Sequence, residues 1–310
     1  MSEAATDLPA LRQRRPIRAA PRRTEAMLRW ARVMVPRLLW TCVSIGFFAG
    51  IWELLWYVGW ADPRLLPPPH IFLGHFAEQA QFFNTAERWQ IGVDPNSGPS
   101  PGMAVLITCA ASIMRVLAGL FLATVASLVV GIAIRYWAPV EKLVLPTVTL
   151  LAPVSPVAWL PVAIFLFGIG NKPAIFMVFI ALFFTMVLAT ITQIDAVNRN
   201  YINVARIMGA NRRQIFLRVI LPAILPGLLI VLRLNLFGAW MVVLIAEATG
   251  VGYGLGQVIM MARNTFNPGL VFFTIVLIGV IGFVFDFAFR SMQSRILYWV
   301  PRGQGNMGGG

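Results

Sequence analysis

The sequence predicts an all-α membrane protein that crosses the bilayer six times. Of its 310 residues 58% are hydrophobic and only 12% are charged, and the mean hydropathy is +0.76. A water-soluble domain is nearer a quarter charged, so the bilayer is the solvent that suits this composition. The apolar residues also gather into six runs, each near or above the roughly 20 residues a helix needs to span the hydrocarbon core.

In order, the runs cover 38–60, 103–134, 143–167, 174–194, 219–245 and 270–289. The second and fifth are over-long, which predicts ends that tilt or project from the membrane. Pro146, Pro153, Pro156 and Pro161 all fall in the third. Each proline removes a backbone donor, so that helix should be kinked or broken. Irregular backbone at membrane depth is tolerated only against protein or a water-filled cavity. The third helix is therefore expected to line the bundle interior, with residues 155–159 bordering a path. The competing reading is a kink needed only for packing.

These runs divide the chain into an Arg-rich tail (1–37), a first transmembrane helix (38–60), an outer loop (61–101), a core (102–291) holding a polar loop at 199–218, and a second tail (292–310). Gly303 to Gly310 reads as disordered. The net charge is +13, and its placement decides what it means. Nine arginines lie between Arg12 and Arg37, and five more (Arg199, Arg206, Arg212, Arg213, Arg218) lie between the fourth and fifth runs. The alternate segments hold only Arg64, Arg88, Lys172 and Arg263. Basic residues mark the cytoplasmic side, so both termini are expected there. No nucleic-acid motif accompanies the charge, which argues against that class of partner. The long basic start followed by a full-length apolar run does not read as a cleavable signal peptide. Arg14-Arg15 has no apolar run close behind it and does not read as a twin-arginine signal.

Cys42 and Cys109 lie in apolar runs and read as small buried hydrophobes. His70 and His75 share the outer loop with Asp62, Glu78, Glu87 and Asp94 but have no cysteine near them, so no metal site is expected. Arg115, Arg233, Glu53 and Asp286 are embedded charges, costly unless they face partners or water. The arginines either meet an anionic substrate or snorkel or pair with a helix end; the structural reading is favoured. Asp286 and Arg290 are one turn apart and suited to pair locally.

The most informative stretch runs from Asn203 to Pro222. Apolar residues recur at helical spacing on both sides of Gly209, with arginines on the other face. It reads as two short amphipathic helices hinged at a glycine. A basic helix resting on anionic headgroups is the plainer reading.

Here the chain resembles the permease subunits of binding-protein-dependent ABC importers. Their cytoplasmic loop carries Glu-Ala-Ala, three residues, Gly, nine residues, an aliphatic, one residue and Leu-Pro. Ala205, Gly209, Val219, Leu221 and Pro222 match, whereas Asn203 stands for the usual Glu and Val204 for the usual Ala. The likeness points to the nitrate/sulfonate/taurine/bicarbonate-type branch. It rests on Leu65-Leu66-Pro67-Pro68-Pro69, Thr108 with Ser112, Arg115 and Gly119, and Pro153 to Pro161 with Phe167-Gly168 and Gly170. Further matches are Gly238-Ala239-Trp240, Ala246-Glu247, Gly254-Leu255-Gly256 and Ala262-Arg263-Asn264.

The resemblance implies a type I ABC importer permease fold in the bacterial inner membrane, with no catalytic residue. Asn203, Val204, Ala205, Arg206, Gly209, Ala210, Leu221 and Pro222 would form the ATPase-coupling loop. Arg115, Pro156, Trp159, Pro161, Arg233 and Glu247 are candidates for the translocation path. Implied partners are cytoplasmic ATPase subunits, a second permease copy or paralogue, a periplasmic binding protein and membrane lipid. No G-x-x-x-x-G-K-[ST] occurs, so ATP and Mg are expected to be used by a partner subunit, with no cofactor on this chain. A small anionic solute such as a sulfonate, taurine or nitrate is the implied cargo. The alternative is a gradient-driven secondary transporter or channel, which predicts internal repeats or paired intramembrane carboxylates.

Overall fold

The computed structural model describes residues 23–60, 62, 64–83 and 100–297, with side chains from residue 39 onward. Residues 1–22, the middle of the outer loop (84–99, with Glu87, Arg88 and Asp94) and 298–310 lie outside the described residues. The chain forms two units, Met1–Trp60 and Ala61–Gly310.

The first unit contributes α1 (Arg23–Tyr57), whose apolar window is Leu39–Tyr57. The helix begins well before the predicted position 38. Its start from Arg23 to Arg32 is mostly Arg, Ala, Glu, Met and Leu, good helix formers whose charges keep them out of an apolar window. None of the window residues is buried, and Cys42 is exposed, contrary to its reading as a buried hydrophobe. A helix that presents apolar residues all round suits lipid on its described faces.

The second unit opens with α2 (Pro69–Gly74), α3 (Phe76–Ala80) and a 3₁₀ turn at Gln81–Phe83. Rings seat this segment on the last helix: Phe72 on Phe272 at 6.2 Å, and Phe76 and Phe83 on Phe273 at 5.6 and 5.9 Å. Then come α4 (Pro101–Tyr136), α5 (Ala138–Leu151), a 3₁₀ turn (Pro156–Trp159), α6 (Leu160–Phe167) and α7 (Asn171–Asp195). The short α8 (Arg199–Ile207) and α9 (Arg212–Ile215) lead through a π turn (Phe216–Ile220) into α10 (Leu221–Gly250). The chain ends in α11 (Leu255–Asn264) and α12 (Pro268–Ile296). Five helical stretches are long and apolar enough to cross a membrane, and the α5–α6 pair makes six if it counts as one span.

The third predicted span is this broken pair, bent by 103°. Pro146 sits within α5 without ending it, so the prolines are not equivalent. The break falls beside Pro153, while Pro156 and Pro161 occupy first turns, where a missing N–H costs nothing. Only Val148 and Ala163 of α5 and α6 are buried. The expected interior placement is therefore not met within the single chain; the pair's apolar face points outward.

The core is built on α4 against α7. Gly119, Ala123, Ser127 and Gly131 recur every fourth residue of α4 and are all buried. A Cβ at Gly119 would strike Val178, and one at Gly131 would lie 2.8 Å from Thr190. Small residues at this spacing let two membrane helices approach closely. In the four unbroken spans of this unit only 22% to 39% of the apolar window is buried. Most of the apolar surface thus faces outward, as lipid requires and water forbids.

Candidate functional site

The exposed segment between α7 and α10 is built by its caps. Asn198 starts α8, its side chain accepting the Asn200 N–H at 2.9 Å. The helix stops at Gly209, whose φ is +79°. There the Gly209 N–H donates to the Arg206 carbonyl at 2.9 Å, and the Ala210 N–H reaches back to the Ala205 carbonyl at 3.0 Å. This C-cap demands a left-handed residue, and glycine fills it without strain. Asn211 and Gln214 then form a reciprocal capping box, with N–H···O distances of 2.8 and 2.9 Å. The predicted pair of short helices hinged at Gly209 is present. Leu221 and Pro222 open α10, as the spacing implied.

One face of the segment is anchored and the other is exposed among the described residues. Ile202, Ala205 and Ala210 pack on Ile194, Ile215, Ile220, Ile224 and Leu228. Arg135 pairs with Asp195 at 2.5 Å, and the Tyr136 ring meets Phe216 at 5.6 Å, so the ends of α4 and α7 hold the base. On α8, Arg199, Asn203 and Arg206 follow i, i+4, i+7 spacing and form one exposed stripe, while Tyr201, Val204 and Met208 form a second. Ile207 lies between the two stripes and is 86% exposed.

A second cluster centres on a buried ion pair and reaches the exposed Asn171 and the half-buried Tyr253. Arg115 Nη1 meets Glu247 Oε1 at 2.6 Å, with side chains 3% and 0% exposed. Glu247 Oε2 accepts the Ser112 hydroxyl at 2.9 Å and the Gly256 N–H at 3.1 Å. Arg115 Nε donates to Asn171 Oδ1 at 2.8 Å, and the Tyr253 hydroxyl donates to the same oxygen at 2.9 Å. The Tyr253 ring lies 4.2 Å from the guanidinium carbon, a cation–π contact. Ser112 also accepts the Leu255 N–H at 3.1 Å. The network joins α4, α7, α10 and α11, and a Cβ at Gly254 would fall on the Glu247 carboxylate. The carboxylate is fully engaged in this way, whereas Arg115 Nη2 is buried with no hydrogen-bond partner among the described residues, so the pair is only partly compensated for leaving water.

The other candidates are not gathered here. Arg233 sits about 20 Å from Glu247 along α10 by helical rise. It pairs with Asp286 of α12 at 2.6 Å, and Asp286 also takes Arg290 at 2.7 Å. The Asp286–Arg290 pairing was legible from spacing; Arg233 as a partner was not. Pro156 and Trp159 are half-buried and Pro161 is exposed, all on the bent pair. Asn171 and Tyr253 are the residues sequence reasoning missed. Neither carries a charge or a distinctive spacing, and each reaches Arg115 across more than fifty residues of chain.

Five long apolar helices and a bent apolar pair, with an exposed helix–glycine–helix segment rooted between α7 and α10, define a polytopic membrane protein. The chain belongs to the family of binding-protein-dependent transport system inner membrane components, whose model matches residues 116–298. It is the permease subunit of an ABC importer. It is 34% identical over 192 residues to a probable ABC transporter permease of Brucella abortus, covering 62% of this chain and 77% of the relative. The taurine transport system permease protein TauC of Escherichia coli is 30% identical over 262 residues, covering 83% and 89%. The nitrate import permease NrtB of Leptolyngbya laminosa is 29% identical over 214 residues, covering 68% and 76%. A chain of the inward-facing MetNI methionine ABC transporter superposes with a TM-score of 0.56 at 21% identity, covering 66% of this chain and all of that one. That likeness concerns the fold.

Proposed function

We propose that this permease carries a small sulfonate or related anion inward, powered by separate ATPase subunits that grip residues 199–213. The observation that carries the proposal is the free face of α8, rigidly rooted in α7 and α10 and ended by the left-handed Gly209. A short helix fixed at its base acts as a lever: displacement of its tip moves the spans it is rooted in. In this reading the excess of arginine in alternate segments puts both termini and α8 in the cytoplasm. Six crossings agree, since they return the chain to its starting side.

A second permease copy or a paralogue completes the path. A periplasmic binding protein delivers the solute to the outer face. ATP and Mg are used by the partner ATPase, whose closure opens the path outward and whose hydrolysis resets it. The names of the taurine and nitrate relatives support an anion or zwitterion as cargo. Gly209→Pro tests the coupling role: uptake should be abolished while membrane insertion stays intact. Uptake at the wild-type rate would sink the assignment of this segment.

A further inference from the structure

The charge on the coupling segment goes further than its shape. Between Asn198 and Arg218 the chain places five arginines (Arg199, Arg206, Arg212, Arg213, Arg218) and not one carboxylate, and Asn203 is neutral where the related motif is acidic. All five arginines are exposed. No acidic side chain follows until Glu247, which is fully buried in the network with Arg115. Among the described residues, the ion pairs use Arg115, Arg135, Arg233 and Arg290 and none of these five. Beside this cationic stripe lies an apolar one: Tyr201 is 62% exposed, Val204 55% and Met208 81%.

Resting on the reading that an ATPase grips this segment, we infer that the groove receiving it has an apolar floor and a rim of Asp and Glu. The apolar stripe supplies affinity by leaving water, at about 25 cal/mol per Å² buried. The arginines supply selectivity and speed of encounter: a basic or neutral rim would leave several guanidiniums without partners. An ATPase whose groove carries basic residues there is thereby rejected, so this permease discriminates among the ATPases of a cell by charge. Two arginines on one exposed side of a helix also suit anionic headgroups. Lipid alone does not account for the Tyr201–Val204–Met208 stripe together with the 86% exposed Ile207.

The test uses the full chain reconstituted in lipid nanodiscs and the ATPase subunit recovered with it from native membranes. Binding is measured from about 50 to about 300 mM salt, over which the screening length falls from about 14 to about 6 Å, enough to weaken exposed charge pairs. Wild-type affinity should fall as salt rises. Arg206→Gln/Arg213→Gln should bind about tenfold more weakly at low salt, with a flattened salt dependence. Val204→Ser/Ile207→Ser should lose affinity at every salt with the slope retained. If the wild type is insensitive to salt, or the arginine variant keeps its slope, the acidic rim is wrong. The grip itself still stands in that case, provided the serine variant fails to bind. If neither variant changes binding, the grip falls, and this inference with it. If the arginine effect appears in phosphatidylglycerol discs but not in phosphatidylcholine discs, the arginines serve lipid and the inference is overturned.

Discussion

Glu247 shows what a single residue does in this bundle. Its carboxylate is the point on which Arg115 and Ser112 of α4 and the first turn of α11 converge. Removing one member of a buried ion pair strands the other charge, at a cost of about 3–5 kcal/mol. Glu247→Gln should therefore lower the unfolding temperature in detergent severely. The double variant Arg115→Met/Glu247→Leu should be markedly better folded than Glu247→Leu alone. Equal damage in the two would show that the charges are not coupled. At Gly209, Ala places a Cβ in the left-handed region, and the strain should cost about 1 kcal/mol and frays the end of α8. Amide exchange of residues 205–210, faster in the variant, checks this. Gly209 and Leu221-Pro222 were legible because their signal is local spacing. Arg115 was legible as an embedded charge and a motif residue, and Glu247 as a motif residue only. That they pair was not, since 132 residues separate them and only the packing of α4 on α10 brings them together.

The helices were legible to the extent that apolar length defines them. Runs two, four, five and six became α4, α7, α10 and α12. The third run was expected to be irregular and proved to be two helices. Its outward face was not foreseen, because proline content reports where a helix breaks and not what it packs against. The early start of α1 and the separate α11 escaped for a related reason: Leu255–Asn264 is ten residues long, too short for any spanning window. The α4–α7 contact makes the sharpest prediction among the elements. Gly119→Leu overfills a position where even a Cβ collides with Val178, and should cost about 1–3 kcal/mol or more. Gly46→Leu on α1 has nothing within 4 Å of its Cβ and serves as the control. Thermal unfolding of the two variants in one detergent compares them directly; equal midpoints would contradict the close approach of α4 and α7.

For the whole molecule, family membership fixes a permease of an ABC importer, and the proposed orientation rests on the charge distribution. In proteoliposomes holding the complete importer, labelled taurine uptake should be competed by alkanesulfonates more strongly than by nitrate. The reverse order would reassign the cargo to the nitrate-like class. Cargo was the least legible property. The two embedded arginines, candidates for meeting an anion, are both engaged by carboxylates. The central claim is that α8 and its glycine hinge connect this permease to an ATPase. Affinity purification of the chain from its native membranes in mild detergent tests that most directly. The account predicts a stoichiometric ATPase subunit that is lost when Gly209→Pro and Arg206→Glu are introduced while the permease remains folded. A folded chain recovered without any ATPase would contradict it and return the gradient-driven transporter to the lead.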